Sequence, residues 1–297
     1  MIKIARSISL AAALFAFTSC VTAPKSQTLA NGKSHFVSYG TNKVHYVTVG
    51  RGRQTLVFVH CWAGNLDFWR AQVPAFADQA RLILIDLPGH GQSDKPHTAY
   101  TMDFFAGAVL AVMNDAHVDK AVLIGHSMGG PVICSVYKQA PEKVTALVSV
   151  DGQMRRPQWT PEDAEKFVAA FRAPDYREHT SQFVGSLFPV PGTEALRDQV
   201  LSETLATPQY VMVGAMEGMF GPLQPDWDLK KVNVPVLVIN ARGRQWDGSY
   251  ESYIHSLSAQ TDYRMMDGVG HWLMLEKPGE FNATLREMLV KADLIAK

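Results

Sequence analysis

Six short apolar runs recur along this chain, and the stretches between them are helical in pattern. The runs are Thr55–His60, Arg81–Leu87, Ala121–Gly125, Ala146–Val150, Pro235–Ala241 and Tyr263–Asp267. They are continuously apolar rather than alternating, the mark of strands covered on both faces in a parallel sheet. Between them lie Leu66–Asp78, Met102–His117, Met128–Gln139, Ser249–Ala259 and Glu280–Ala296, with apolar residues at helical spacing. Ahead of them, His35–Tyr39 and Val44–Val49 alternate around Gly40-Thr41-Asn42-Lys43 and read as a hairpin. The sum is an α/β fold with an eight-stranded, mostly parallel, doubly wound sheet.

One stretch breaks the alternation. From Gly152 to Lys231 there is no strand signal, only four helix-like segments: Pro161–Phe171, Asp175–Phe188, Thr193–Thr204 and Pro208–Phe220. Such a length is too great for a loop. It predicts a helical cap over residues 152–231, inserted after the sixth strand, with the core formed by residues 34–151 and 232–297. The insertion is rich in Met212, Met216, Met219, Phe167, Phe171, Phe183, Phe188 and Phe220. These residues form its own core, and some are expected to roof a pocket.

The N-terminus reads as an address. Lys3 and Arg6 precede the apolar run Ile8–Phe17, which is too short for a settled membrane span but suits a signal peptide over residues 1–20. Phe17-Thr18-Ser19-Cys20 resembles the lipobox of bacterial lipoproteins, which implies lipidation of Cys20 and export as a membrane-anchored protein. Ordinary secretion, with cleavage after Val21-Thr22-Ala23, is the alternative. Residues 21–33 then form a polar tether. Hydrophobic residues at 47% against 19% charged give a sizeable core and exclude a disordered chain. Lys+Arg and Asp+Glu both number 28, so there is no basic excess for nucleic acid. Cys20, Cys61 and Cys134 make no disulfide framework.

The chemistry centres on Gly125-His126-Ser127-Met128-Gly129-Gly130, between a strand and a helix. This is G-x-S-x-G in the setting where its glycines permit a sharp turn that projects the serine hydroxyl. Three more segments accompany it: His60-Cys61-Trp62-Ala63-Gly64, Asp86-Leu87-Pro88-Gly89-His90-Gly91-Gln92-Ser93-Asp94, and Gly268-Val269-Gly270-His271-Trp272. In order and spacing, over nearly all of Ser34–Lys297, these motifs resemble the α/β-hydrolase fold superfamily, in particular its serine hydrolases and esterases with a helical cap.

That resemblance implies roles. Ser127 matches the nucleophile and His271 the base that takes its proton. The backbone N–H groups of Trp62 and Met128 match the oxyanion hole. Cys61 stands where the family has Gly, so its Cβ needs φ < 0 or strain; it reads as a small packing side chain rather than a second nucleophile. The acid is placed at Asp247, about three residues past the family's slot near Arg244. Asp151, at the end of the sixth strand, is the other candidate, against the plainer reading of a turn cap. Serine at the nucleophile position argues against the family's dehalogenases and epoxide hydrolases, which use Asp there. The expected activity is hydrolysis of a small, largely apolar ester. A ligand-binding protein with weak turnover and an acyltransferase are the alternatives. No metal spacing, P-loop or dinucleotide fingerprint is present, so no cofactor is expected. The partners implied are a small-molecule substrate and a membrane reached only through Cys20.

Overall fold

The computed structural model describes residues 29, 31–221, 226–243 and 246–296. The segments read above as signal peptide and lipobox, Cys20 included, lie outside the described residues. Among the described residues no helix is long and apolar enough to cross a membrane.

Eight strands form one sheet in the order β1-β2-β4-β3-β5-β6-β7-β8. They are β1 (Lys33–Tyr39), β2 (Asn42–Val49), β3 (Thr55–Val59), β4 (Arg81–Ile85), β5 (Ala121–His126), β6 (Val144–Val150), β7 (Val236–Ala241) and β8 (Thr261–Met266). β1 and β2 form the antiparallel hairpin, β2 runs antiparallel to β4, and every other pairing is parallel.

The strands explain the continuous apolar runs. Val57, Val59, Ile83, Ile85 and Leu123 face one core, shared with α2 (Met102–Asp115), α3 (Gly129–Gln139) and α8 (Gly248–Leu257). The alternate residues Leu56, Phe58, Leu82, Leu84, Val122 and Ile124 face a second core, shared with α1 (Val73–Phe76) and α9 (Pro278–Lys291). With both faces covered, every position of β3 and β5 is buried. β8, at the sheet edge, is only partly so.

Between β6 and β7 run four helices: α4 (Pro161–Arg172), α5 (Tyr176–Ser186), α6 (Glu194–Thr204) and α7 (Gln209–Phe220). α4 shows why they start where they do. The Thr160 side chain accepts a hydrogen bond from the Asp163 amide, Pro161 opens the helix, and Glu162 and Asp163 sit in its positive first turn.

The stretch Leu66–Asp78, read as one helix, is two pieces: a 3-10 turn at Leu66–Trp69 and the short α1. Pro74 lies in the first turn of α1 and has no amide to carry a hydrogen bond back into the 3-10 turn. The apolar spacing of Phe68, Trp69, Val73 and Phe76 survives the break because all four reach the same core.

Candidate active site

The carboxyl ends of β3, β5, β6, β7 and β8 converge on one cavity, as open parallel sheets favour. Ser127 follows β5 directly and sits at φ +53, the left-handed region that L-residues occupy only under constraint. Its amide donates to the Val150 carbonyl at 3.0 Å, and its carbonyl accepts from the Gly130 amide at 2.8 Å. The turn closes because its flanks carry no side chains. A Cβ on Gly125 would lie 2.2 Å from the Gly129 carbonyl oxygen, and one on Gly129 would lie 2.6 Å from that of Val59.

His271, on the loop after β8, lines the same cavity as Ser127. Its Nδ1 lies 2.6 Å from Asp151 Oδ2. Asp151 follows β6 and also adopts a left-handed φ, +42, which turns its side chain back over the sheet end. Its second oxygen, Oδ1, accepts from the Ala241 amide at 2.9 Å and from Trp246 Nε1 at 2.7 Å. A carboxylate so fixed is an acceptor for His271 Nδ1–H, which leaves Nε2 without a proton and able to take one.

The His271 loop is held on several sides. Its amide donates to the Leu187 carbonyl at 3.0 Å, and its carbonyl accepts from His126 Nε2 at 2.8 Å. Burial, reinforced by the neighbouring His271, pushes His126 well below the ordinary histidine value, so it stays uncharged. Glu276 accepts from the Gly270 amide at 2.7 Å and the Trp272 amide at 3.1 Å, tying both flanks of His271. Burial raises its carboxyl above the ordinary value despite those bonds.

The amides of Trp62 and Met128 have no acceptor among the described residues, and both residues line the cavity beside Ser127. The loop bearing Trp62 is set by His60, whose Nδ1 donates to the Cys61 carbonyl at 2.7 Å while its Nε2 accepts from the Leu87 amide at 3.0 Å. The left-handed residue in this loop is Ala63, φ +49, and Cys61 is not among those with positive φ. Cys61 is buried, and that burial pushes its thiol up to about 12, the wrong direction for a thiolate nucleophile.

Of the two carboxylates considered from the sequence, the structure brings Asp151, not Asp247, to His271. Asp247 caps α8. Its exposed carboxylate accepts from the Ser249 and Tyr250 amides, both at 3.0 Å, and from the Ser249 hydroxyl at 2.7 Å. The Ser249 hydroxyl and those amides hold it below the ordinary carboxylate range. Sequence reasoning missed Trp246 and the bracing role of Glu276. The Asp-Gly-Ser-Tyr string at Asp247 does carry an N-cap signature.

The cavity encloses about 260 Å³. Its far wall is aromatic and thioether: Trp159, Phe167, Phe183, Met216, Phe220 and Trp227. Phe167 anchors this wall, packing edge-on against Trp159, Phe183 and Phe220 with ring centroids 5.2–5.8 Å apart. Among the described lining residues there is no Lys or Arg, and Asp151 is the one carboxylate.

Comparison with known proteins agrees with this geometry. The family description "alpha/beta hydrolase fold" matches residues 54–278. The chain is 28% identical over 262 residues to the dihydrolipoyllysine-residue acetyltransferase component of the acetoin cleaving system of Cupriavidus necator, covering 83% of this chain and 66% of that one. It thus spans about two thirds of that relative's length. It is 30% identical over 220 residues to the uncharacterized hydrolase YugF of Bacillus subtilis, covering 69% of this chain and 78% of the relative. Among solved structures, Est816, described as an N-acyl homoserine lactone degrading enzyme, superposes with a TM-score of 0.72 at 26% identity, covering 85% of this chain and 99% of that one. One of these relatives is described as an acetyltransferase component and another as a hydrolase, and the chain belongs to the alpha/beta hydrolase fold family.

Proposed function

We propose that this protein is a serine hydrolase of small, uncharged, largely apolar esters, working through an acyl-enzyme on Ser127. The observation that carries this reading is the Asp151–His271 pair beside a strained serine in one apolar cavity. Ser127 Oγ attacks the acyl carbon while its proton passes to His271 Nε2. The amides of Trp62 and Met128 stabilise the oxyanion, and the proton leaves with the alcohol. Water then gives its proton to His271, attacks the acyl carbon, and releases the acid as Ser127 regains its hydrogen. Asp151 holds the imidazole tautomer and offsets its charge, the role that the sequence reading gave to Asp247. The absence of cationic side chains among the described lining residues supports an uncharged acyl group, since an acyl carboxylate would find no partner among them.

The test is fluorophosphonate labelling with peptide mapping, beside Ser127→Ala. Stoichiometric adduct on Ser127 is the expected result; a folded protein without it overturns the reading and favours a ligand-binding role. Product analysis with added alcohols separates hydrolysis from acyl transfer. We also propose export with lipid on Cys20. Cys20→Ala should then move the protein from the membrane fraction to the soluble one, and an unchanged distribution overturns this.

A further inference from the structure

The β1–β2 hairpin carries a second array of serine, histidine and aspartate, apart from the cavity. Its register sets Ser34 opposite Val47 and Phe36 opposite His45, so Ser34 and His45 share a face as diagonal neighbours. Ser34 Oγ lies 2.8 Å from His45 Nε2. His45 Nδ1 in turn lies 2.7 Å from Asp86 Oδ2. Asp86 is fixed by the Leu66 amide on Oδ1 at 2.8 Å and the Gln92 amide on Oδ2 at 2.9 Å. Burial alone would raise the Asp86 carboxyl, but the bonds from His45, Gln92 and Leu66 outweigh it and hold it below its ordinary value.

An ionised Asp86 can only accept, so the Nδ1 proton of His45 points to it. Nε2 is then the acceptor and the Ser34 hydroxyl the donor. The order of atoms is the same as in the His271–Asp151 pair. His45 and Asp86 are 1% and 2% exposed, whereas Ser34 is open to solvent. The Phe36 ring, 4.9 Å from that of His45, covers the imidazole and leaves the serine as its outlet.

We propose that Ser34 is a second nucleophile of this chain, a surface site that takes acyl or phosphonyl groups from activated donors with His45 as base. With an aryl ester, Ser34 Oγ bonds to the acyl carbon and its proton moves to His45 Nε2. The bond to the aryl oxygen breaks, and the departing aryloxide takes that proton as the phenol. With a fluorophosphonate, phosphorus is attacked and fluoride leaves with the proton. On an exposed strand face the donor must be intrinsically reactive, so the product is a stoichiometric modification of Ser34.

The strand contains its own control. Ser38 is exposed on the same strand, and its hydroxyl has no hydrogen-bond partner among the described residues. Cleavage after Lys33 and Lys43 releases both serines in one peptide, separate from the one that holds Ser127. The Ser127→Ala protein would be treated with a fluorophosphonate probe and, separately, with p-nitrophenyl acetate, and adduct formation followed by tandem mass spectrometry. A positioned base contributes about 10²-fold or more, so Ser34 should be modified at least about tenfold faster than Ser38. Adding His45→Gln should erase the difference. Equal rates at Ser34 and Ser38, or no adduct at Ser34 in folded protein, overturn the proposal and leave Ser34 as a hydrogen-bond partner of His45. If His45→Gln does not fold, the Ser34-to-Ser38 ratio decides alone. Because the two peptides are distinct, failure here is separable from failure at Ser127.

Discussion

Replacing Asp151 by Asn changes one atom and removes the charge beside His271. In the proposed mechanism, attack by Ser127 makes the imidazole a cation, and Asp151 Oδ2 lies 2.6 Å from Nδ1. Taking the charge centres about 4 Å apart and an effective dielectric near 20, the lost attraction is about 4 kcal/mol. That is roughly 10³-fold in rate. A second effect adds to it. The Ala241 amide and Trp246 Nε1 both need an acceptor at the Oδ1 position, so the Asn amide nitrogen must face His271. It donates to Nδ1, which moves the imidazole proton to Nε2 and removes the base; the triad template loses about 10⁴-fold this way. Asp151→Asn should therefore lower kcat by about 10³–10⁴-fold with KM little changed. Asp247→Asn should stay within about twofold, because Asn caps a helix as well as Asp does. The assay is steady-state hydrolysis of p-nitrophenyl butyrate, with circular dichroism to establish folding. The reasoning fails if Asp247→Asn loses as much as Asp151→Asn, or if Asp151→Asn keeps more than about a tenth of the activity.

Trp246→Phe removes the indole donor to Asp151 but keeps an aromatic ring; a hydrogen bond to a charged group is worth about 1.5–3 kcal/mol, so kcat should fall about tenfold, read in the same assay. Cys61→Ala should retain activity, and native Cys61 should resist iodoacetamide at pH 8 by mass spectrometry, since burial keeps it a thiol. Asp67 supplies the pH test. Burial raises its carboxyl from 3.8 to about 6, and its Oδ1 has no hydrogen-bond partner among the described residues. Across that window the folded state keeps a proton that the unfolded state has released. Its contribution to stability is therefore full below the window and falls as pH rises through it. Asp67→Asn should gain about 1–2 kcal/mol at pH 8 and almost nothing at pH 4, measured as the shift in urea midpoint at each pH.

Much of this molecule is legible in the sequence because a doubly buried strand must be apolar at every position. β3, β5 and β7 announce themselves in that way, and the turn at Ser127 is legible because only glycine fits at Gly125 and Gly129. The Leu66–Asp78 stretch was harder, since apolar spacing marks which residues reach a core and not whether the backbone between them is continuous. The acid was ambiguous for a different reason. Asp247 lies about three residues past the family's slot near Arg244, and Asp151-Gly152 also reads as a turn dipeptide. The choice rests on parallel strands meeting at their carboxyl ends, with a left-handed φ at Asp151 and an indole brought in from the β7 loop. Neither is a local property of the sequence.

The inserted helices do more than roof the cavity. Leu187, after α5, holds the His271 amide, and Met212 of α7 accepts from the Trp62 indole at 2.8 Å. Thr207, between α6 and α7, donates to the Ala63 carbonyl at 3.3 Å, and Glu203 of α6 accepts from Asn65 at 2.9 Å. The loops that carry His271 and Trp62 are thus clasped by the same inserted helices that wall the cavity. An insert transplanted from another family member would change which molecules fit, and unless it rebuilt these four contacts it would slow the reaction on every one of them.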